Sequence, residues 1–247
     1  MSNVADRQDL MHVNLNKFPS AARLLAAAIL AMTAATAQAQ MGVHPVILDM
    51  GPEELQRADL EVSNTSAERL YVAVEPARIE APGTDAESRV NMTDPEKLGL
   101  LVSPPRLIVE PGERRFVRVA ALAPAGEEDR IFRVAVKPVV GDVTGEQTGL
   151  KILVGYDVLV IQRPANPEGT LTWEDTGSQI VIRNSGNSNV QIARGKACPP
   201  GSDEEGCVEL PSTRLYAGNS FTAEKPAGTI ASYDVLFMGR ARRQVFE

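Results

Sequence analysis

Residues 150–167 read Leu150-Lys151-Ile152-Leu153-Val154-Gly155-Tyr156-Asp157-Val158-Leu159-Val160-Ile161-Gln162, then Arg163-Pro164-Ala165-Asn166-Pro167. The stretch from Leu150 to Gln162 is the longest strand signal in the chain, rich in aliphatic residues and bounded by turn formers. Its first half alternates. Leu150, Ile152, Val154 and Tyr156 share one face, and Lys151, Leu153, Gly155 and Asp157 share the other. The two prolines end it, because each removes a ladder donor and fixes the local backbone. Arg163–Pro167 therefore reads as a hinge between two domains.

Working back from this strand, Gly141–Gly149 is a glycine-rich turn, and Ile131–Val136 is a strand before it. Arg114, Phe116 and Arg118 alternate with Arg115, Val117 and Val119, giving one polar face and one mixed face after the turn Glu110-Pro111-Gly112. Leu107–Val109 leads into that turn. Leu60–Val62, the turn Ser63-Asn64-Thr65-Ser66 and Leu70–Glu75 read as strand, turn, strand. Asp94–Leu98 is the one segment that reads as a short helix or ragged loop.

Forward of the hinge, short strands at Gly169–Glu174, Ser178–Asn184, Asn189–Arg194, Glu209-Leu210, Ser220–Thr222 and Ser232–Met238 are separated by turns such as Asn184-Ser185-Gly186-Asn187. No internal repeat shows. The pattern predicts an all-β chain of two immunoglobulin-like sandwiches in tandem. Arg240, Arg242 and Arg243 near the end read as a solvated tail.

The N-terminal stretch reads as a targeting device. Lys17 and Arg23 precede the apolar run Leu24–Met32, and small residues follow to Ala37-Gln38-Ala39. That is a signal peptide with an A-x-A cleavage site over residues 1–39, its run too short for a membrane helix. The charged stretch before Lys17 is long enough that Met11 is an alternative start to Met1. No later segment is long and apolar enough to span a bilayer, so no stable membrane insertion is expected. About 200 residues follow Ala39, which suits two domains of about 100 residues each or one larger β domain.

The net charge of the 247 residues is −7, which argues against an overall grip on nucleic acid. Cys198 and Cys207 stand nine positions apart across Pro199, Pro200, Gly201 and Gly206, in a chain bound for an oxidising compartment. They read as a loop-closing disulfide. The only histidines are His12 and His44, so neither a metal site nor a histidine-based active site is expected. Glu53-Glu54 and Glu204-Glu205 are adjacent acids in turn-like segments, which are usually solvated. No nucleotide loop or nucleophile elbow is present, and no enzymatic activity or cofactor is expected.

Four segments, in this order and spacing, resemble the periplasmic chaperones of the chaperone-usher pilus pathway. They are Ser63-Asn64; Ser103-Pro104-Pro105 leading into Glu110-Pro111-Gly112 and an arginine-rich strand; Asp129-Arg130-Ile131-Phe132-Arg133; and Leu150–Pro164. The resemblance implies a signal peptide (1–39), an immunoglobulin-like chaperone domain (40–162) and a second sandwich (163–247). It further implies a periplasmic chaperone that caps incomplete pilin-like subunits by donor-strand complementation and hands them to an outer-membrane usher. Leu150, Ile152, Val154 and Tyr156 would be the side chains lent to the subunit. Arg163 and Asp129 match an interdomain ion-pair cluster, with Asp234 as a third member.

One feature departs from the pattern. The better-known members hold the subunit's terminal carboxylate with an arginine on the first strand and a lysine near the end of the seventh. Here Leu159 falls at the lysine position and Gly42–Leu48 contains no arginine. Arg133 and Lys137, which share a strand face, are the substitutes.

The alternative reading is a secreted or surface structural, adhesin-like sandwich without a client. A chaperone should display Ile152 and Val154 at an open edge, and a structural module should bury them. A free chaperone has self-association open to it as a way to cover that strand.

Overall fold

The computed structural model describes residues 41–52, 56–139, 153–202 and 206–247. The first sandwich is built from β1 (Met41–His44), β2 (Ile47–Met50), β3 (Arg57–Asn64), β4 (Leu70–Glu80), β5 (Ser88–Val90), a one-turn helix α1 (Pro95–Leu98), β6 (Leu100–Ser103), β7 (Arg106–Val109), β8 (Arg114–Ala121), β9 (Arg130–Val139) and β10 (Tyr156–Gln162). The second contains β11 (Leu171–Asp175), β12 (Gln179–Asn184), β13 (Val190–Cys198), β14 (Val208–Leu210), β15 (Thr213–Leu215), β16 (Ser220–Glu224), β17 (Ile230–Phe237) and β18 (Arg240–Phe246). Both belong to one compact unit, and each has its own apolar core.

Period-two alternation fills those cores. In the first sandwich, one sheet runs β1-β3-β8-β6 and the other β2-β10-β9-β4-β5, with β7 also on β4. Leu60 and Val62 of β3, Val117 and Val119 of β8, Phe132, Val134 and Val136 of β9, and Val158 and Val160 of β10 all point between the sheets. Each buried aliphatic contributes roughly 1.5–3 kcal/mol. Pro45 has no amide hydrogen, and the chain changes sheet there. β1 pairs antiparallel with β3, whereas β2 lies parallel to β10. Asp94 caps α1 by accepting from Glu96 N, Pro95 opens the helix, and Gly99 at φ 85° closes it.

The two sandwiches are built on one device that the sequence reading missed. Asn64 ends β3, and Asn184 ends β12. The Asn64 amide donates to the carbonyls of Glu68 (2.7 Å) and Val109 (2.9 Å), and its Oδ1 accepts from Ser66 N at 2.9 Å. The Asn184 amide donates to Ser188 O (2.9 Å) and Leu215 O (3.0 Å), and its Oδ1 accepts from Gly186 N at 3.0 Å. The backbone of each asparagine is bonded to a facing turn, Gly112 and Glu113 in one case and Gly218 and Asn219 in the other. Gly112 and Gly218 sit at φ 75° and 76°, where a side chain would be strained. The repeat escaped notice because only two residues of each turn carry it.

The segment read as a solvated tail is β18, paired along its length with β17. Phe246 at its end is buried and packs edge-on against Trp173 and Tyr233. Burial pushes the Tyr233 hydroxyl up to about 12, so it stays neutral. Cys198 and Cys207 are joined by a disulfide.

Replacing Asn184 by alanine strands two buried carbonyls and replacing Asn64 strands one, since Glu68 O keeps its bond from Ser66 Oγ, and we expect losses of about 2–4 and about 1–3 kcal/mol of stability. Urea titration followed through Trp173, the single tryptophan, should show a lowered midpoint for Asn184→Ala, because Trp173 sits in that sandwich. A midpoint within a few tenths of a molar of the parent would contradict the clamp.

Candidate functional site

The site is the unpaired beginning of β10. On one side β10 is bonded to β9 along its whole length, from Tyr156↔Val136 to Gln162↔Arg130. On the other, β2 covers only Leu159–Gln162, the first bond being Leu159 N to Val46 O at 3.1 Å. Among the described residues, no ladder covers this edge ahead of Leu159. An uncovered edge offers alternate N–H and C=O groups to an incoming strand.

The side chains along it fall into three groups. Leu150 and Ile152 lie outside the described residues. Val154 is 60% exposed. Tyr156 packs partly into the first core and donates its hydroxyl to Met41 O at 3.0 Å. The strand is also shorter than its signal: Leu153-Val154-Gly155 precede the ladder and are not part of it. Beyond Val158, the opposite face takes over. Leu159 and Ile161 join Ile79 and Ile131 in a separate apolar cluster, against which Tyr216 of the second sandwich packs.

Around this edge the cations face carboxylates of the same chain. Arg89 meets Asp157 at 2.6 Å; Arg133 approaches the Asp157 carboxylate at 3.9 Å and its carbonyl at 3.4 Å. Lys137 is paired with Glu75 at 2.6 Å. Arg133 and Lys137 do lie on the same face of β9, but neither stands as an unmatched cation.

Solved structures of fimbrial chaperones share this shape. The class 5 fimbriae chaperone CfaA matches with a TM-score of 0.62 and 20% identity over 83% of this chain and 98% of its own. A chaperone–tip adhesin complex of CFA/I fimbriae biogenesis gives 0.58 and 20% over 84% and 98%. The Salmonella enterica SafA pilin in complex with the SafB chaperone gives 0.56 and 18% over 86% and 98%. No protein-family sequence profile and no curated protein matches the chain.

The chain has the fold of the fimbrial chaperones.

In this chaperone fold the two sandwiches meet at Arg163, whose side chain is 2% exposed. Its guanidinium makes a two-pronged contact with Asp49 on β2, at 2.8 and 2.7 Å, and donates to Ser188 Oγ at 2.7 Å and Asn189 O at 3.1 Å. Asp129 approaches it at 3.6 Å and is itself bound by Ser188 Oγ and by the backbone and side chain of Asn189. The Phe237 ring lies 5.4 Å from the guanidinium carbon. Arg214 bonds Asn189 and Gln191, and burial holds its pKa below the ordinary value.

Asp234 is not part of this group. It lies on the outer face of the second sandwich between Arg194 and Arg243, which hold its carboxyl below the usual range. The strand parity explains the correction: Tyr233 and Val235 face the core, so Asp234 must face away. The missed carboxylate is Asp49. Its signal was available, since it alternates with buried Leu48 and Met50, but its partner lies 114 residues on.

Arg163→Ala leaves Asp129, nearly fully buried, without a counter-charge, and we expect a loss of about 3–5 kcal/mol. Adding Asp49→Asn and Asp129→Asn to Arg163→Met should recover part of it. Denaturant unfolding measures both, and small-angle scattering should show a broader distribution of angles between the sandwiches in the single variant.

Proposed function

We propose that this chain is a periplasmic chaperone that caps pilin-like subunits by lending them the edge of β10, and passes them to an outer-membrane usher. The observation that carries the reading is that, among the described residues, no ladder covers the edge ahead of Leu159, with Val154 standing exposed beside it. A structural module would have buried that side chain or covered that edge, so this exposure favours the chaperone over the adhesin-like alternative. The fold likeness adds to it, since solved complexes of this fold pair a chaperone with a tip adhesin or a pilin.

The physics is strand addition. Main-chain bonds along β10 supply affinity without regard to sequence, and side chains at every second position fill a groove in the incomplete subunit. No cofactor or nucleotide is required, because the subunit's own folding supplies the free energy. Export through the leader and release into the periplasm complete the reading.

A delivered subunit needs a second docking face that is free while β10 is occupied. Ile108 on β7, Tyr71 on β4 and Val139 on β9 are register neighbours on three adjacent strands, and each is about half exposed. Pro104, Arg106 and Arg115 border this apolar hollow. We assign it to the usher.

Co-expression with a candidate subunit tests the first half. Val154→Asp should reduce co-purification at least tenfold, with the unfolding transition followed by circular dichroism unchanged, because the residue makes little contact with its own core. Failure of the parent chain to form any complex with an incomplete pilin-like subunit would sink the reading. For the second half, Tyr71→Glu with Ile108→Glu should still yield the subunit complex but lose about tenfold in binding to the usher.

A further inference from the structure

The place where β2 begins to cover β10 is apolar and unfilled. Val46, whose carbonyl takes the first bond from β10, is 51% exposed, and Ile47, in register with Leu159, is 43% exposed. The step they form continues directly from the free edge, so a strand added alongside Val154–Val158 runs into it. Nearby charges give no reason for an anion to stop there. Arg89 and Arg133 face Asp157, Lys137 faces Glu75, and Arg163 is buried against Asp49. A carboxylate arriving at this point would have to compete with carboxylates that already face these cations. An aliphatic or aromatic side chain would displace only water from Val46, Ile47 and the adjoining Leu159.

We propose that the client segment laid along β10 ends on an apolar side chain seated on Val46 and Ile47, and not on a charged terminus. The inference rests on the strand-addition reading above and names the chemistry that the site selects.

Three short synthetic peptides of alternating valine and threonine, differing only at the last position, test it against the full exported chain. One ends in phenylalanine amide, one in glycine amide and one in glycine with a free carboxylate. The phenylalanine amide should bind tightest, by roughly tenfold over glycine amide, and Ile47→Asp and the milder Ile47→Thr should erase that preference. Val208→Asp, at an equally exposed aliphatic of the second sandwich, should leave it intact. Tightest binding by the free carboxylate, with the advantage lost in Arg133→Ala, overturns the proposal, as does binding that ignores the last residue. Binding by none of the peptides defeats strand addition at β10 itself.

Discussion

Arg163 carries a full charge into a place with almost no solvent, and the junction is arranged around that fact. A guanidinium so buried has to be met by opposite charge and acceptors on all sides. Asp49 supplies two oxygens, Asp129 a third contact, and Ser188 and Asn189 the rest. These partners come from β2, the start of β9 and the second sandwich, so neutralising one cation orders three separate pieces of chain. Net stability is the lesser consequence. The greater one is geometric, because Asp49 ties β2 to the far end of β10 in the register that sets Ile47 opposite Leu159. The cover stops at Leu159 because the chain crosses to the other sheet at Pro45, just before Val46 takes the first bond.

Above that joint sits the apolar cluster of Ile79, Ile131, Leu159 and Ile161, with Tyr216 packed against it. Asn219 donates to Pro82 O at 2.8 Å, and Asn187 donates to Glu127 O at 2.9 Å, so the second sandwich is also bonded to two loops at the same end of the first, those after β4 and before β9. Tyr216 and Asn219 belong to the same turn that holds Asn184 in place. The clamp that stabilises the second sandwich therefore also presents the groups that contact the first.

Much of the fold was legible because it is written in local chemistry. Glu110-Pro111-Gly112, the Asp94-Pro95 helix start and the proline pair after Gln162 each act over a few residues, and each falls where the strands end. The alternation in β3 and β9 likewise shows directly which side chains are buried. What escaped was long-range. Asp49 and Arg163 are brought together only by a parallel pairing that no local pattern announces, and Asp234 fails as a partner because its strand turns the other way. The β18 strand was hidden by its arginines, since charge at a chain end reads as solvent exposure even where the backbone is fully paired. Of the site itself, the alternating face was visible, but its effective span was not. The ladder begins only at Tyr156, and Tyr156 is spent partly on its own core.

The exposed arginines of β18 also show what a guarded edge looks like. Arg240, Arg242 and Arg243 stand on the outermost strand of their sheet, where charge discourages pairing with another chain. β5 and β14 are three-residue edge strands, and Pro76 removes a donor from β4 between its partners β7 and β5. Shortness, charge and proline each make an edge a poor template. Among the described residues, the start of β10 carries no proline, its charge at Asp157 is engaged by Arg89, and Val154 is exposed beside it. A chain that blunts β5, β14 and β18 and leaves this edge open bears a standing risk of aggregation. The risk is tolerable if the edge is normally occupied, which is the condition that capping a client would meet.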